Sequence, residues 1–302
     1  MTTSSRTSRR SCTSEAGRPG RWLRAAAVVR LTHPFPSLLN ALATTAIATI
    51  AGGAPDVALR LGGSMLALQA SIGALNDAVD APVDSGRKPG KPIPRGLATS
   101  QGAVALAGLG LATGLILSAP SGVPTLLVAL GGVACGYAYD LRLGRTALSW
   151  LPLVIALPLL PIHAWLGATG TIPPGLATLT PAAVLAGAAL AIGNGLVDVE
   201  RDAAGSRPTI VVRLGAGRAW RVLVGLTVGI AGIAIVAAPR TAGGGLGLAE
   251  LGIGAGLVSL GLGVAVLRHH SATVRERGWE LAAVGVAGIG IGWLAGAAGG
   301  AG

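Results

Sequence analysis

The stretch Asn76-Asp-Ala-Val-Asp80-Ala-Pro-Val-Asp84-Ser-Gly-Arg-Lys88-Pro-Gly-Lys91-Pro-Ile-Pro-Arg95-Gly96 closes a long apolar run and sets three aspartates beside four basic residues. A carboxylate at the edge of an apolar segment is costly unless it is solvated, paired or bound to a cation. Read as a helix, the stretch places Asn76, Asp80 and Asp84 along one face, because residues four apart stack on the same side. Asp77 falls at the edge of that stripe. Pro82 is expected to end or bend the helix near Asp80. The prolines after Asp84 make the following segment a semi-rigid basic loop rather than a helix.

A second stretch has the same plan. Asn194, Asp198 and Asp202 repeat the spacing of Asn76, Asp80 and Asp84, each offset by 118 residues. Downstream, Asp202-Ala-Ala-Gly-Ser-Arg207-Pro208 echoes Asp84-Ser-Gly-Arg-Lys-Pro. Six of the twelve acidic residues (Asp77, Asp80, Asp84, Asp198, Glu200, Asp202) fall in these two places. The pattern implies an internal duplication with one site between the halves.

The background on which the motifs sit is a membrane protein. Of 302 residues, 51% are hydrophobic and only 12% charged, against about 25% charged in soluble domains. Forty-nine glycines suit membrane helices, whose backbones approach closely at small residues. Apolar runs of spanning length lie at 34–53, 57–76, 101–118, 124–139, 148–166, 177–197, 218–238, 246–267 and 280–298. With the N-terminus inside, 21 of the 23 Lys/Arg residues fall in the tail and in the even-to-odd connections, leaving Arg60 and Arg240 outside. That bias sets the orientation and supports the count of nine. It also argues against nucleic acid as the reason for the net charge of +11. The expectation is an all-α polytopic bundle in the cytoplasmic membrane. Residues 1–29 are a disordered basic cytoplasmic tail without a cleavable signal peptide, and 30–302 are the membrane domain. Both motifs close even-numbered spans, so both face the cytoplasm.

Other polar positions have plainer readings. His33, in Arg30-Leu-Thr-His33-Pro-Phe-Pro36, reads as an interfacial residue. Asn40, two turns into the first span, either bonds a neighbouring helix or faces a polar cavity. Tyr137, Tyr139 and Trp150 flank the end of the fourth span, where an aromatic belt is expected in any case. Arg142 and Arg145 lie on the same side of the bilayer as the aspartates. Pro152, Pro158 and Pro161 interrupt the fifth span, as in helices that line cavities, although membrane helices also tolerate proline without a functional role. The pair His269-His270 reads as solvated loop. Cys12 and Cys135 are too few for a disulfide framework or a metal site.

Oxygen-only donors without Cys or a well-placed His suit a hard cation, and Mg²⁺ fits best because it shares phosphate oxygens. Arg and Lys beside them suit a phosphate or diphosphate. A diphosphate whose remainder lies in a helix bundle implies an isoprenyl diphosphate, with its allylic C–O bond ionising under electrostatic stabilisation. Mere pairing of carboxylates with adjacent cations accounts for one motif more easily than for two at one spacing on one face. An ion-coupled transporter would place its carboxylates near the bilayer midplane at broken helices, whereas these sit at helix ends. The single-stretch aspartate cluster of CDP-alcohol phosphatidyltransferases is missing.

Asn76-Asp-x-x-Asp80-x-x-x-Asp84 with Lys91-Pro-Ile-Pro-x-Gly96, then Asp198-x-Glu-x-Asp202-x-x-Gly205, closely resembles the UbiA-type intramembrane prenyltransferases. The likeness runs from about Arg30 onward and includes the nine-helix count. It implies a bundle around a central cavity, with the motifs facing each other. It also implies Mg²⁺ bridged by Asn76, Asp80, Asp198 and Asp202 to the substrate diphosphate, and Asn194 joins the candidate metal set. Asp77 and Asp84 complete the first motif and, with Tyr139, are the candidate catalytic residues. Candidate diphosphate contacts are Asn40, Lys88, Lys91, Arg95, Arg142, Arg145 and Arg207. The family's tyrosine after the fourth helix falls on Tyr137 or Tyr139. Its lysine position holds Gly144, which leaves Arg142 or Arg145 as the substitute. The expected acceptor is aromatic, with a non-aromatic lipid such as a glycerol phosphate ether as the alternative.

Overall fold

The structure, a computed structural model, describes residues 20–238 and 247–299. All regular structure among the described residues is helical: α1 (Arg21–Leu31), α2 (Pro34–Ile50), α3 (Pro55–Arg87), α4 (Ser100–Ser118), α5 (Val123–Leu141), α6 (Leu151–Thr169), α7 (Gly175–Val197), α8 (Val199–Ala204), α9 (Ile210–Leu214), α10 (Ala216–Val236), α11 (Leu248–Val266) and α12 (Ala272–Gly299). The nine expected spans correspond to α2–α7 and α10–α12. Eight of these are long and apolar enough to cross a membrane. The ninth, α2, has 17 residues, about 25 Å at 1.5 Å per residue.

Helix starts follow local chemistry. Proline at the first or second position opens α2, α3, α5 and α6, where its missing N–H costs nothing. Thr99 and Thr209 cap α4 and α9 by accepting from Gly102 N and Val212 N, as short hydroxyl side chains do at N-caps. Close packing follows the glycines. A Cβ on Gly263 would sit 2.5 Å from Ala282 N and Gly278 O, and one on Gly285 would sit 2.4 Å from Leu260 N. These residues let α11 and α12 touch backbone to backbone, the usual source of helix association in lipid.

A ring of contacts runs from α2 through α3, α5, α6, α7 and α12 back to α2. Inside it lies an apolar chamber of about 230 Å³, lined by residues such as Phe35, Leu157, Leu190 and Trp279. A smaller void of about 70 Å³ shares Asn40 and Gln69 with it and reaches toward His163. Pro158 and Pro161 stay within a continuous α6, and Leu153, Leu157 and Leu160 of that helix line both spaces.

Three expectations are corrected. Residues 1–19 of the tail lie outside the described residues, but 21–29 belong to α1, so the tail is not unstructured up to residue 29. Pro82 does not end the second span, because α3 continues through it to Arg87. Residues 85–87 are therefore helical, and the basic loop begins at Lys88. Finally, Asn76, Asp80 and Asp84 do not act as one stripe. Two full turns after Asp77 the helix returns almost to the same azimuth, so Asp84 pairs its face with Asp77 instead.

Candidate active site

The first motif is built along the last turns of α3. Asp77 and Asp84 are buried, at 3% and 5% exposed. Lys91 Nζ from the following loop lies 2.7 Å from Asp77 Oδ1 and 2.8 Å from Asp84 Oδ2. Burial would lower the Lys91 pKa, but Asp77 and Asp84 outweigh it and hold the ammonium above its usual range. His33 Nε2 also meets Asp77 Oδ1 at 3.1 Å. The approach depends on Gly73, one turn before Asp77, where a Cβ would stand 3.0 Å from the His33 ring. His33 caps α2 at φ 48°, a left-handed conformation that a non-glycine residue rarely adopts.

The second motif spans a joint. α7 stops at Val197, Asp198 takes φ −105° and ψ 10°, and α8 begins at Val199. Arg275 of α12 is 5% exposed and holds this joint from behind. Its guanidinium donates to Val197 O at 3.1 Å, to the carbonyls of His269 and His270, and to Glu200. At the same end of α7, a Cβ on Gly195 would lie 2.6 Å from Val211 Cγ2, so glycine admits α9 against the motif.

The two motifs clasp each other. Lys88, following the first, bonds Asp198 Oδ2 of the second at 2.7 Å. Arg207, following the second, bonds Asp80 Oδ1 of the first at 3.3 Å and lies 3.8 Å from Asp202 Oδ1. Arg145 adds a bond to Asp80 Oδ1 at 2.8 Å, and Arg201 one to Asp198 Oδ1 at 2.6 Å. Burial would raise the Asp198 pKa, but Lys88 and Arg201 overcome it and hold the carboxyl below its usual range.

The remaining candidates divide. Tyr139 Oη receives a bond from Asn194 Nδ2 at 3.4 Å, between the motifs. Tyr137 bonds Ser71 at 2.7 Å and packs with Leu68 and Val133, which makes Tyr139 the tyrosine at the site. Gly144 faces it, for a Cβ there would lie 3.0 Å from the Tyr139 ring and 2.9 Å from its carbonyl. A lysine has no room at 144 in this arrangement, and Arg145 supplies the cation. Arg142 and Arg95 are exposed and join no ion pair among the described residues. Arg142 caps the end of α5 and Arg95 sits in an exposed turn. Asn40 lines the apolar chamber with Gln69, and none of the cluster's Lys or Arg residues lines it.

Sequence reasoning missed three residues. His33 was readable as a polar residue beside the first span, but its partner is 44 positions away. Asp140 is buried and accepts from Asn76 Nδ2 at 3.0 Å. Its signal was an acidic residue next to Tyr139. Arg275 counted only as a loop charge, although it supports the second motif from the last helix.

Among the described residues no three Asp, Glu, His or Cys side chains converge as a ready-made metal cluster. The cations explain why, because the motif aspartates are turned toward the Lys and Arg side chains they share. The donor set nonetheless fits Mg²⁺: it is all oxygen, and the single guanidinium of Arg207 reaches a carboxylate of each motif, as a bridging cation would. Gln69, which lines the apolar chamber, precedes Asn76 by two helical turns, about 10 Å along α3.

Three solved structures share this architecture. A UbiA homolog from Aeropyrum pernix K1 superposes with a TM-score of 0.70 at 17% identity, covering 85% of this chain and 96% of its own. A UbiA homolog from Archaeoglobus fulgidus bound to DMAPP and Mg²⁺ gives 0.61 at 21% identity, over 69% and 76%. A digeranylgeranylglyceryl phosphate synthase gives 0.64 at 14% identity, over 89% and 98%. Comparison with curated protein sequences finds no match. The sequence itself matches the UbiA prenyltransferase family across residues 37–283, and the chain belongs to that family.

Proposed function

We propose that this chain transfers a prenyl group from an isoprenyl diphosphate to an aromatic acceptor, with Mg²⁺ held by Asn76, Asp80, Asn194, Asp198 and Asp202. The observation that carries the reading is the reciprocal clasp, in which Lys88 holds Asp198 while Arg207 holds Asp80. Cations crossing in both directions keep the carboxylates of two motifs opposed, and the same cations suit the oxygens of a diphosphate. The DMAPP, GPP and Mg²⁺ bound by the Archaeoglobus homologs support the donor and the metal. When bound, Mg²⁺ supplies Lewis-acid neutralisation of the leaving diphosphate.

The residues of the chain do the rest. Lys88, Arg145 and Arg207 exchange their carboxylate partners for phosphate oxygens. Lys91 stays on Asp77 and Asp84, which act by fixing the loop rather than by touching substrate. The allylic C–O bond breaks with its electron pair on the diphosphate oxygen. The acceptor then forms the new bond to the allylic carbon and releases a proton. The apolar chamber holds the prenyl chain and keeps water from the cation. Tyr139, near Asn194, borders the reacting end. The positive-inside bias supports a site on the cytoplasmic face.

The test is a mass-spectrometric screen of proteoliposomes with geranyl, farnesyl and geranylgeranyl diphosphates against a panel of acceptors. Mg²⁺-dependent diphosphate release with a prenylated product is expected. Asp80→Ala and Asp198→Ala should each abolish it while the protein stays in the membrane, and unchanged turnover in both sinks the two-motif site. A second reading, transfer to a glycerol phosphate ether, draws on the synthase named among the structural neighbours. A prenylated ether and no aromatic product would select it.

A further inference from the structure

Asp140 stands beside the first motif but takes no part in its ion pairs among the described residues. It occupies the last turn of α5 at 5% exposed. Oδ1 accepts from Asn76 Nδ2 at 3.0 Å, while Oδ2 is out of solvent with no hydrogen-bond partner. A buried acceptor left unpaired works against stability. Such a group in a charged gap points to a role beyond packing.

We propose that Asp140 is a positioning residue that fixes which end of the Asn76 carboxamide faces a bound cation, an inference that rests on the metal set assigned above. In its ionised form a carboxyl group only accepts, and Asp140 Oδ1 already takes the amide nitrogen of Asn76. The carboxamide oxygen is then the end available to a hard cation, which takes oxygen ligands. A flipped amide would present its NH₂ group to the cation and remove one ligand. Outer partners that orient a ligand typically change metal affinity ten- to a hundredfold when mutated.

The readout is thermal unfolding of the purified protein with geranyl S-thiolodiphosphate, an analogue whose C–S bond resists ionisation, and increasing Mg²⁺. Ligand bound only to the folded state raises Tm by mass action, so the titration reports Mg²⁺ half-saturation without activity. Asp140→Asn should leave the unliganded Tm near the wild type and raise the half-saturating Mg²⁺ concentration about ten- to a hundredfold. Asn76→Asp, which sets two carboxylates face to face, should do the same. Combining Asn76→Asp with Asp140→Asn restores a donor against an acceptor and should bring the half-saturation back toward the wild type. A purely packing role predicts a lower unliganded Tm, an unchanged half-saturation and no rescue. Any of an unchanged half-saturation in Asp140→Asn, a failed rescue, or a shift seen only in unliganded Tm overturns the proposal. If the wild type itself shows no Mg²⁺-dependent rise with the analogue, the metal set falls first and the inference falls with it.

Discussion

The two aspartate motifs share one spacing, Asn-x₃-Asp-x₃-Asp, but not one geometry. The first lies on the unbroken axis of α3, with Pro82 inside the helix. The second is split at Asp198, where α7 gives way to α8. On a straight axis Asp77 and Asp84 come round to the same side, and a single ammonium, Lys91, seals both. At the joint, Asp198 sits between α7 and α8 while Asp202 lies within α8, with side chains 27% and 15% exposed against 4% and 7% for the sealed pair. Duplicated halves have thus diverged in mechanics: one is a rigid frame for a loop, and the other is a hinged arm pinned by Arg275.

That contrast can be broken at its strongest point. Lys91→Met removes the only described cation that bridges two buried carboxylates, and stripping one partner from a buried pair costs about 3–5 kcal/mol. Denaturation in detergent should show a loss of that size. Adding Asp77→Asn and Asp84→Asn should recover part of it, because the uncompensated charge is then gone. A loss below about 1 kcal/mol, the range of exposed pairs, would mean the first half is not sealed. Next in size, Arg207→Gln should cut turnover about a hundredfold with an intact fold, close to the loss of one electrostatic stabiliser of a developing anion. Diphosphate-release kinetics would check it, and a change below twofold would detach Arg207 from the reaction.

The spans were legible because a membrane demands long apolar helices and biased flanking charge. The motifs were legible because carboxylates at the end of such helices need a reason. Which way each carboxylate turns was not. Spacing suggested a stripe of Asn76, Asp80 and Asp84, but the choice between 3.6-residue and seven-residue neighbours is made by where Lys91 can reach. Pro82 was overrated as a breaker, since membrane helices accommodate proline when neighbours satisfy the freed carbonyl. Arg142 and Arg145 looked equivalent. The turn Leu143–Arg145 aims only the second at Asp80. Contacts across long separations, such as His33 with Asp77 and Arg275 with Val197, leave no local pattern at all.

Gly144→Lys tests the same boundary from the family side. It restores the side chain expected there, yet its Cβ would crowd the Tyr139 ring at 3.0 Å. Overpacking of this kind costs about 1–3 kcal/mol, and turnover should drop about tenfold as Tyr139 moves, since 1.4 kcal/mol is one decade in rate. Improved turnover would show instead that the lysine reaches the diphosphate and that Tyr139 yields without penalty.

The smallest effect belongs to the shortest of the second motif's contacts to Asp198. Arg201 Nη1 sits 2.6 Å from Asp198 Oδ1, closer than Lys88 at 2.7 Å to Oδ2. Distance alone would rank Arg201 first. Its side chain, however, is 42% exposed, and it pairs within its own helix turn, three residues away. Water screens such a pair and its side chain must be ordered to make it, so its value is about 0.2–1 kcal/mol. Lys88 arrives from the other half of the molecule and closes the clasp. Arg201→Met should therefore leave stability and turnover nearly unchanged, while Lys88→Met should weaken diphosphate binding, seen as a higher KM for the isoprenyl diphosphate. Equal KM shifts in the two variants would mean the clasp is no more than local charge balance, and the hinged half would then lose its mechanical distinction from the sealed one.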